Sequence, residues 1–403
     1  MNKSLKYTCL FGGGAIRGIS YIGAVKAFEE LNLEIDMYGG SSVGAAFAAL
    51  LAIGYTSEEL KEIFSGVNFN LFRDISFGIG PVFAFSKGEV FLDWIRELIE
   101  IKFYGNEYKK GTNRSVTFND IEKDLVIITT DLANFSCKEF SRYTTPDYEI
   151  ASAIRISCCM PGLMKPIEYN NTLLVDGDLQ KSKPMWKLAD TLKKSPNRIL
   201  ELRLEGYYNS NEITGIDYAN AVYSCMTAIS TSFINEIYGC NDKYDYLVLD
   251  TGEIVVVDFN INDEKRNELI QSGYNQTKKY FEKTLKEKKE NLKPVYEAML
   301  KHMTSIKKLI NAQNITLAKL HLGEIFIELC GKQQIIDPNI YNQIDNFKNT
   351  FISNIKYPPL FGKIKLKNEV LVKTECEKLT QNLENKINEL SEYINKNNII
   401  DNV

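Results

Sequence analysis

Ser42 lies in the run Gly40-Ser41-Ser42-Val43-Gly44, a G-x-S-x-G pattern in which a sharp strand-to-helix turn lifts a serine hydroxyl clear of a sheet. Gly40 and Gly44 suit such a turn, because a side chain at either place would collide with the neighbouring strand or helix. A second glycine-rich turn lies upstream, Gly12-Gly13-Gly14-Ala15-Ile16-Arg17-Gly18. The N–H groups of Gly12, Gly13 and Gly14 are candidates for an oxyanion hole, in which each donor lowers the barrier by about 3–4 kcal/mol. Arg17 is a candidate for orienting that loop or attracting a phosphate. A hydroxyl is a weak nucleophile at neutral pH and needs a proton acceptor. The chain has only two histidines, His302 and His321, both in a helical pattern far from the serine, where they read as surface or core residues. A carboxylate must then take the proton. Asp176 is the candidate, at the end of the apolar run Leu173-Leu174-Val175 and just before Gly177-Asp178. Ligands of open α/β sheets gather at the carboxyl ends of strands. Asp178 reads as a solvated turn residue.

These groups need a sheet to hold them. Short Val/Ile/Leu-rich runs at 7–11, 35–38, 125–129, 173–175, 199–204 and 246–250 alternate with helical patterns such as 20–31 and 43–53, which predicts a mostly parallel sheet covered on both faces. Small residues after the serine (Gly44, Ala45, Ala46, Ala48, Ala49) let its helix pack closely, and the helix N-terminus favours a developing anion. Alone, the turn at 12–18 could cradle a nucleotide phosphate. No acidic strand-end residue stands at the Rossmann spacing and no Gly-Lys-Ser/Thr follows, so neither nucleotide motif is complete.

Together, the run from Gly12 to Gly44, the stretch Ile154-Arg155-Ile156-Ser157-Cys158-Cys159-Met160-Pro161-Gly162 and the Asp176-Gly177 turn resemble the patatin-like phospholipases. The resemblance runs in order from about 7 to 184 and more weakly to about 285. It implies a three-layer αβα fold with a mostly parallel central sheet, and hydrolysis of lipid acyl esters by a Ser42–Asp176 dyad without cofactor or metal. Aligning on Arg17-Gly18 sets Gly13, Gly14 and Ala15 opposite the family's three glycines. Asp178 fills a place where the family usually has Gly or Ala, which puts a second carboxylate near the expected base.

With 403 residues and 44% hydrophobic content, the chain can build a large core and an appendage. A net charge of −4 gives no electrostatic footprint for nucleic acid. Eight cysteines, at 9, 137, 158, 159, 225, 240, 330 and 376, show neither metal-ligand spacing nor a disulfide framework, and suit a reducing compartment. No signal peptide is visible, and the apolar stretch around Ser42 is too short to span a bilayer. The expectation is a soluble, cytoplasmic protein acting peripherally at membranes, with delivery into another cell without an N-terminal signal left open.

Phe69, Leu71, Phe72, Phe77, Phe83, Phe85, Phe91 and Trp94 crowd the segment 67–114, most of them aromatic. They could line an acyl-chain pocket or form the core of flanking helices. Pro294 suggests a boundary near 290, dividing a catalytic domain (1–290) from a helical region (291–403). That region has 15 Lys and no Arg against 12 Asp plus Glu, and an apolar stripe at Val370, Leu371, Leu379, Leu383, Ile387, Leu390 and Ile394. The stripe suits a packed helix or a docking face, and the region is expected to regulate or target the enzyme through a protein or small-ligand activator. The substrate class is membrane phospholipid. The rival expectation is a catalytically weak lipid-binding or partner-binding protein on the same fold.

Overall fold

A computed structural model describes residues 6–74, 84–180, 185, 189–194, 197–206, 244–254, 260–329, 336–358 and 363–400. They group into two compact units, with the break falling between Lys278 and Lys279.

The first unit is built on a mixed, mostly parallel sheet. Its strands are β1 (Lys6–Phe11), β2 (Glu34–Ser41), β3 (Asp124–Asp131), β4 (Ser136–Ser141), β5 (Ile167–Tyr169), β6 (Thr172–Asp176), β7 (Arg198–Glu205) and β8 (Tyr244–Asp250). The order is β5-β6-β3-β2-β1-β7-β8, with β4 paired to β3. The pairs β1–β2, β1–β7, β2–β3 and β7–β8 are parallel, whereas β6 runs antiparallel to β3 and β5. The central strands are largely buried on both faces, as parallel strands are; β7 also buries the Glu201–Arg203 ion pair among its apolar residues.

Helices α1 (Ser20–Glu30), α2 (Val43–Ile53), α3 (Ser57–Gly66), α4 (Glu89–Tyr104), α5 (Ile150–Ser157) and α6 (Asp190–Lys193) flank this sheet. Successive residues of a strand face opposite sides. Gly40 abuts Gly44 in α2, while Gly39 abuts Leu192 in α6, so α2 and α6 cover opposite faces. Helix α7 (Asp263–Lys279) closes the unit against α1. A Cβ at Gly23 would lie 1.8 Å from the Ile270 carbonyl oxygen, and one at Gly273 2.0 Å from that of Ser20. Only glycine permits so close a crossing.

The aromatic residues of 67–114 pack on one another and on α2. Phe47 stacks on Phe64, Phe64 meets Phe69 and Trp94, and Phe72 meets Phe69, Phe91 and Trp94. Of the residues named from the sequence, Phe69 is buried and Phe72, Phe91 and Trp94 are half-buried in this cluster, whereas Leu71 and Phe85 are exposed; Phe77 and Phe83 lie outside the described residues.

The second unit contains a π-helical turn (Tyr280–Thr284) and helices α8 (Leu285–Asn311), α9 (Ile315–Leu329), α10 (Pro338–Ser353) and α11 (Glu369–Ile400), with a two-stranded ribbon of β9 (Ile355–Lys356) and β10 (Lys365–Leu366). Buried residues recur at three- and four-residue steps: Tyr296, Met299, Met303, Ile306 and Ile310 in α8, and Val372, Cys376, Leu379 and Leu383 in α11, where the partly buried Ile387 leads on to buried Leu390. That spacing gives each helix one apolar stripe directed at a shared core. One expectation is corrected here: Pro294 lies inside α8 and marks no boundary. Within the expected C-terminal stripe Leu379, Leu383 and Leu390 are interior and Ile387 packs against the same core, which favours a packed helix; Val372 and Cys376 complete the stripe, whereas Val370 and Leu371 are exposed. No helix among the described residues is long and apolar enough to cross a membrane.

Candidate active site

Ser42 stands between the last residue of β2 and the first of α2, with φ 53° and ψ −134°. A side-chain-bearing residue adopts a positive φ at a cost, and such strain persists only where the surroundings impose it. Here they do. A Cβ at Gly40 would lie 2.2 Å from the Gly44 carbonyl oxygen, and one at Gly44 2.0 Å from that of Phe11. The chain therefore turns with no room for side chains, and Ser42 occupies the tip. Its backbone N–H donates to Ser157 Oγ (2.9 Å), whose hydroxyl donates to the Ile128 carbonyl (2.6 Å). No side chain caps α2, so its first N–H groups keep their donor capacity and its positive end faces the serine.

Asp176 is the last residue of β6 and is almost fully buried. Ser42 Oγ donates to its Oδ2 at 2.8 Å, and the Asp178 N–H donates to its Oδ1, also at 2.8 Å. Its backbone is fixed as well: the N–H donates to the Cys159 carbonyl at 2.9 Å, and Thr130 Oγ1 donates to its carbonyl at 2.9 Å. One carboxylate oxygen is thus held by backbone while the other meets the hydroxyl. In so enclosed a place electrostatic interactions exceed their strength in water. This arrangement can accept the serine proton directly.

The glycine turn differs from expectation. The Gly12 N–H donates to the Leu202 carbonyl at 2.9 Å, because the β1–β7 ladder continues one residue past β1, and this removes Gly12 from the donors facing the site. The Gly13 N–H donates to Asp178 Oδ1 at 3.0 Å. Gly14 N–H has no hydrogen-bond partner among the described residues. Asp178 is itself a correction, being 4% exposed and no solvated turn residue. Its Oδ1 accepts from Ser41 Oγ at 2.5 Å as well as from Gly13. Arg17 is buried, with Nε donating to the Ile254 carbonyl at 2.7 Å, a contact that ties the turn after Gly14 to the chain beyond β8.

Ser41 and Ser157 are the site residues that sequence reasoning passes over. Ser41 shares the elbow with Ser42, and Ser157 lies inside the Ile154–Gly162 stretch, where only its place in that motif could have drawn notice. In the same stretch, burial pushes the Cys159 thiol up to about 12 and the Cys158 thiol well above its ordinary value, so neither is a thiolate near neutrality. Arg155 is scaffold: its guanidinium donates to the carbonyls of Lys165 (2.7 Å) and Lys87. His302 and His321 lie in the second unit with their Nδ1 atoms 3.2 Å apart. No cluster of three or more His, Cys, Asp or Glu that could hold a metal occurs among the described residues.

Comparison with known proteins agrees with this architecture. Residues 10–185 match the model of the patatin-like phospholipase family. An uncharacterized protein of Bacillus subtilis, YqhO, is 24% identical over 293 residues, 68% of this chain and 97% of that protein. A probable lipid hydrolase of Invertebrate iridescent virus 6 is 29% identical over 189 residues, 44% of this chain. The matched stretch spans only 61% of the viral protein's length. The crystal structure of VipD from Legionella pneumophila superposes with a TM-score of 0.51 at 16% identity, covering 97% of this chain and 88% of that one, a likeness of fold. Together these matches support a lipid hydrolase. Residues 10–185, the part of the chain that carries Ser42 and Asp176, are thus similar to the patatin-like phospholipases.

Proposed function

We propose that the protein is a lipid acyl hydrolase of phospholipase A type, with Ser42 as nucleophile and Asp176 as general base. The observation that carries this reading is the 2.8 Å contact from Ser42 Oγ to Asp176 Oδ2 at a strained strand-to-helix turn. Ser42 Oγ attacks the ester carbonyl as its proton passes to Asp176. The developing oxyanion is met by backbone N–H groups of the Gly13-Gly14 turn and by the open N-terminus of α2. Asp176 returns the proton to the leaving alcohol, then takes one from the water that hydrolyses the acyl-enzyme. The products are a free fatty acid and a lysolipid. Membrane phospholipid is the proposed substrate. Arg17, buried on a backbone carbonyl, is proposed to orient the loop and not to hold a phosphate.

The second unit has its own apolar core and none of the proposed catalytic groups, which supports a regulatory or targeting role, with an activating protein or small ligand as its partner. The rival reading, a lipid- or partner-binding protein with little catalysis, draws on one observation: Gly12 and Gly13 already use their N–H groups internally. Covalent labelling by a fluorophosphonate separates the two, since it requires an activated hydroxyl. Labelling is expected on Ser42, and it is expected to be lost, with folding intact, in Ser42→Ala and to fall about 10⁴-fold in Asp176→Asn, which keeps the shape but cannot take the proton. A folded wild-type protein that resists labelling would favour the binding protein.

A further inference from the structure

The proposed mechanism needs the glycine turn to receive an oxyanion, yet in this structure an anionic oxygen of the chain itself already sits there. Asp178 Oδ1 accepts the Gly13 N–H at 3.0 Å and is anchored by Ser41 Oγ at 2.5 Å. A Cβ built on Gly13 would lie 2.5 Å from Asp178 Oδ2 and 2.6 Å from Ser42 Cβ. The second carboxylate and the nucleophile therefore share one face of the turn. Asp178 is buried and follows Gly177 directly, and its own N–H holds the Asp176 carboxylate.

We propose that Asp178 is a built-in occupant of the oxyanion site, standing where the ester's carbonyl oxygen must go, so that the enzyme rests in a latent state until that carboxylate swings off Gly13. The inference rests on the hydrolase reading above. A carboxylate accepting a backbone N–H beside the nucleophile resembles the oxyanion in charge and in hydrogen bonding, and so competes with it for the same donor. A substrate must then break the Asp178–Gly13 contact before Gly13 can stabilise its transition state. The device also reconciles an assembled Ser42–Asp176 pair with an engaged glycine turn. Such an enzyme is slow until the contact is released, and it is not dead.

The test uses the full chain and reads two rates: labelling of Ser42 by a fluorophosphonate, and hydrolysis of a short soluble p-nitrophenyl ester. Asp178→Gly and Asp178→Ala remove the occupant. Each is expected to raise both rates about ten- to a hundredfold, the factor carried by one hydrogen bond to a charged group. Faster amide hydrogen exchange at Gly13, with the exchange of β1 and β3 unchanged, would show that the contact itself has been released. Asp178→Asn keeps the shape with a neutral acceptor and is expected to give a smaller gain. Ser41→Ala, which removes a second anchor of the same oxygen, is expected to do likewise, and it serves if the Asp178 variants fold poorly. Unchanged or slower rates in folded variants, with wild-type Ser42 still labelled, would overturn the proposal and make Asp178 a positioning residue. No labelling of Ser42 in the wild type or in any variant would overturn the hydrolase reading, and this inference with it.

Discussion

Ser42 and Asp176, 134 residues apart in the chain, meet at 2.8 Å because their two strands share one edge of a third. Ser41 pairs with Ile128 of β3 in parallel register, and Asp176 pairs with the next residue, Thr129, in antiparallel register. The other edge of β3 carries β4 along the same stretch. Strands β2 and β6 therefore abut end to end, each running toward the other, and their carboxyl termini converge on one point. A nucleophile just past the end of one strand and a base at the end of the other must then face each other. The geometry is held by the β3 ladder and not by flexible loops, which suits chemistry that tolerates little misplacement.

The strain at Ser42 has a measurable sign. Ser42→Ala and Ser42→Gly both remove the hydroxyl, so neither should be labelled or turn over. They should differ in stability. Glycine ordinarily costs stability against alanine through backbone entropy, but at φ 53° it escapes a penalty of about 1–3 kcal/mol. Ser42→Gly is expected to melt at the higher temperature of the two in calorimetry, and the opposite order would mean that the elbow is relaxed in solution.

Ser157 should matter to both stability and rate. It is fully buried, and its hydroxyl joins the Ser42 N–H to the Ile128 carbonyl. Ser157→Ala leaves a buried N–H without its partner, at a cost of about 1–3 kcal/mol, and frees the elbow to shift. Denaturant melts should record the loss, while steady-state kinetics should show kcat reduced with KM nearly unchanged. A fall confined to stability would limit Ser157 to the scaffold.

Much of this fold is legible in the sequence, because the buried strands carry short apolar runs, such as Leu125, Val126, Ile127 and Ile128 in β3 and Leu173, Leu174 and Val175 in β6, bounded by turn residues. All six expected strands occur, with bounds moved by one to three residues at most ends. Strands β4 and β5 go unread for physical reasons. Ser136–Ser141 mixes Ser, Lys and Glu with few apolar residues, and Ile167–Tyr169 is only three residues long. The candidates Ser42 and Asp176 are legible from residue type and neighbouring glycines. The shared edge of β3 that brings them together is not, since register is set by the assembled sheet. Asp178 misleads because Asp-Gly-Asp has the composition of a solvated turn, and only the approach of Gly13 and Ser41 turns it inward. Pro294 misleads in the same way, since proline usually ends a helix and here lies within one.

The cysteines next to the site give a prediction with a clear sign. Burial holds the Cys159 thiol up at about 12 and raises Cys158 well above the usual value. A thiol with so high a pKa is almost wholly protonated at pH 7.5, and only the thiolate reacts with alkylating agents. Iodoacetamide at that pH should leave ester hydrolysis intact, whereas a fluorophosphonate should abolish it. Inactivation by iodoacetamide, with the adduct mapped to Cys158 or Cys159 by mass spectrometry, would place a reactive thiol at the site and reopen the choice of nucleophile.

The last test concerns the histidines. A serine hydrolase that uses imidazole needs it within hydrogen-bond reach of the serine or one water away. His302 and His321 sit on α8 and α9 in the second unit, Nδ1 to Nδ1 at 3.2 Å, each the other's partner. Asp176 already occupies the position of proton acceptor to Ser42. The double variant His302→Gln/His321→Gln should therefore keep kcat on a short soluble ester within about twofold of wild type. What it should lose is the hydrogen bond between the two rings, about 0.5–1.5 kcal/mol, visible as a lower melting temperature. A thousandfold fall in kcat with the fold intact would mean that an imidazole takes part in proton transfer, and the dyad would have to be abandoned. Loss of stability without loss of turnover is the result that a purely structural pair requires.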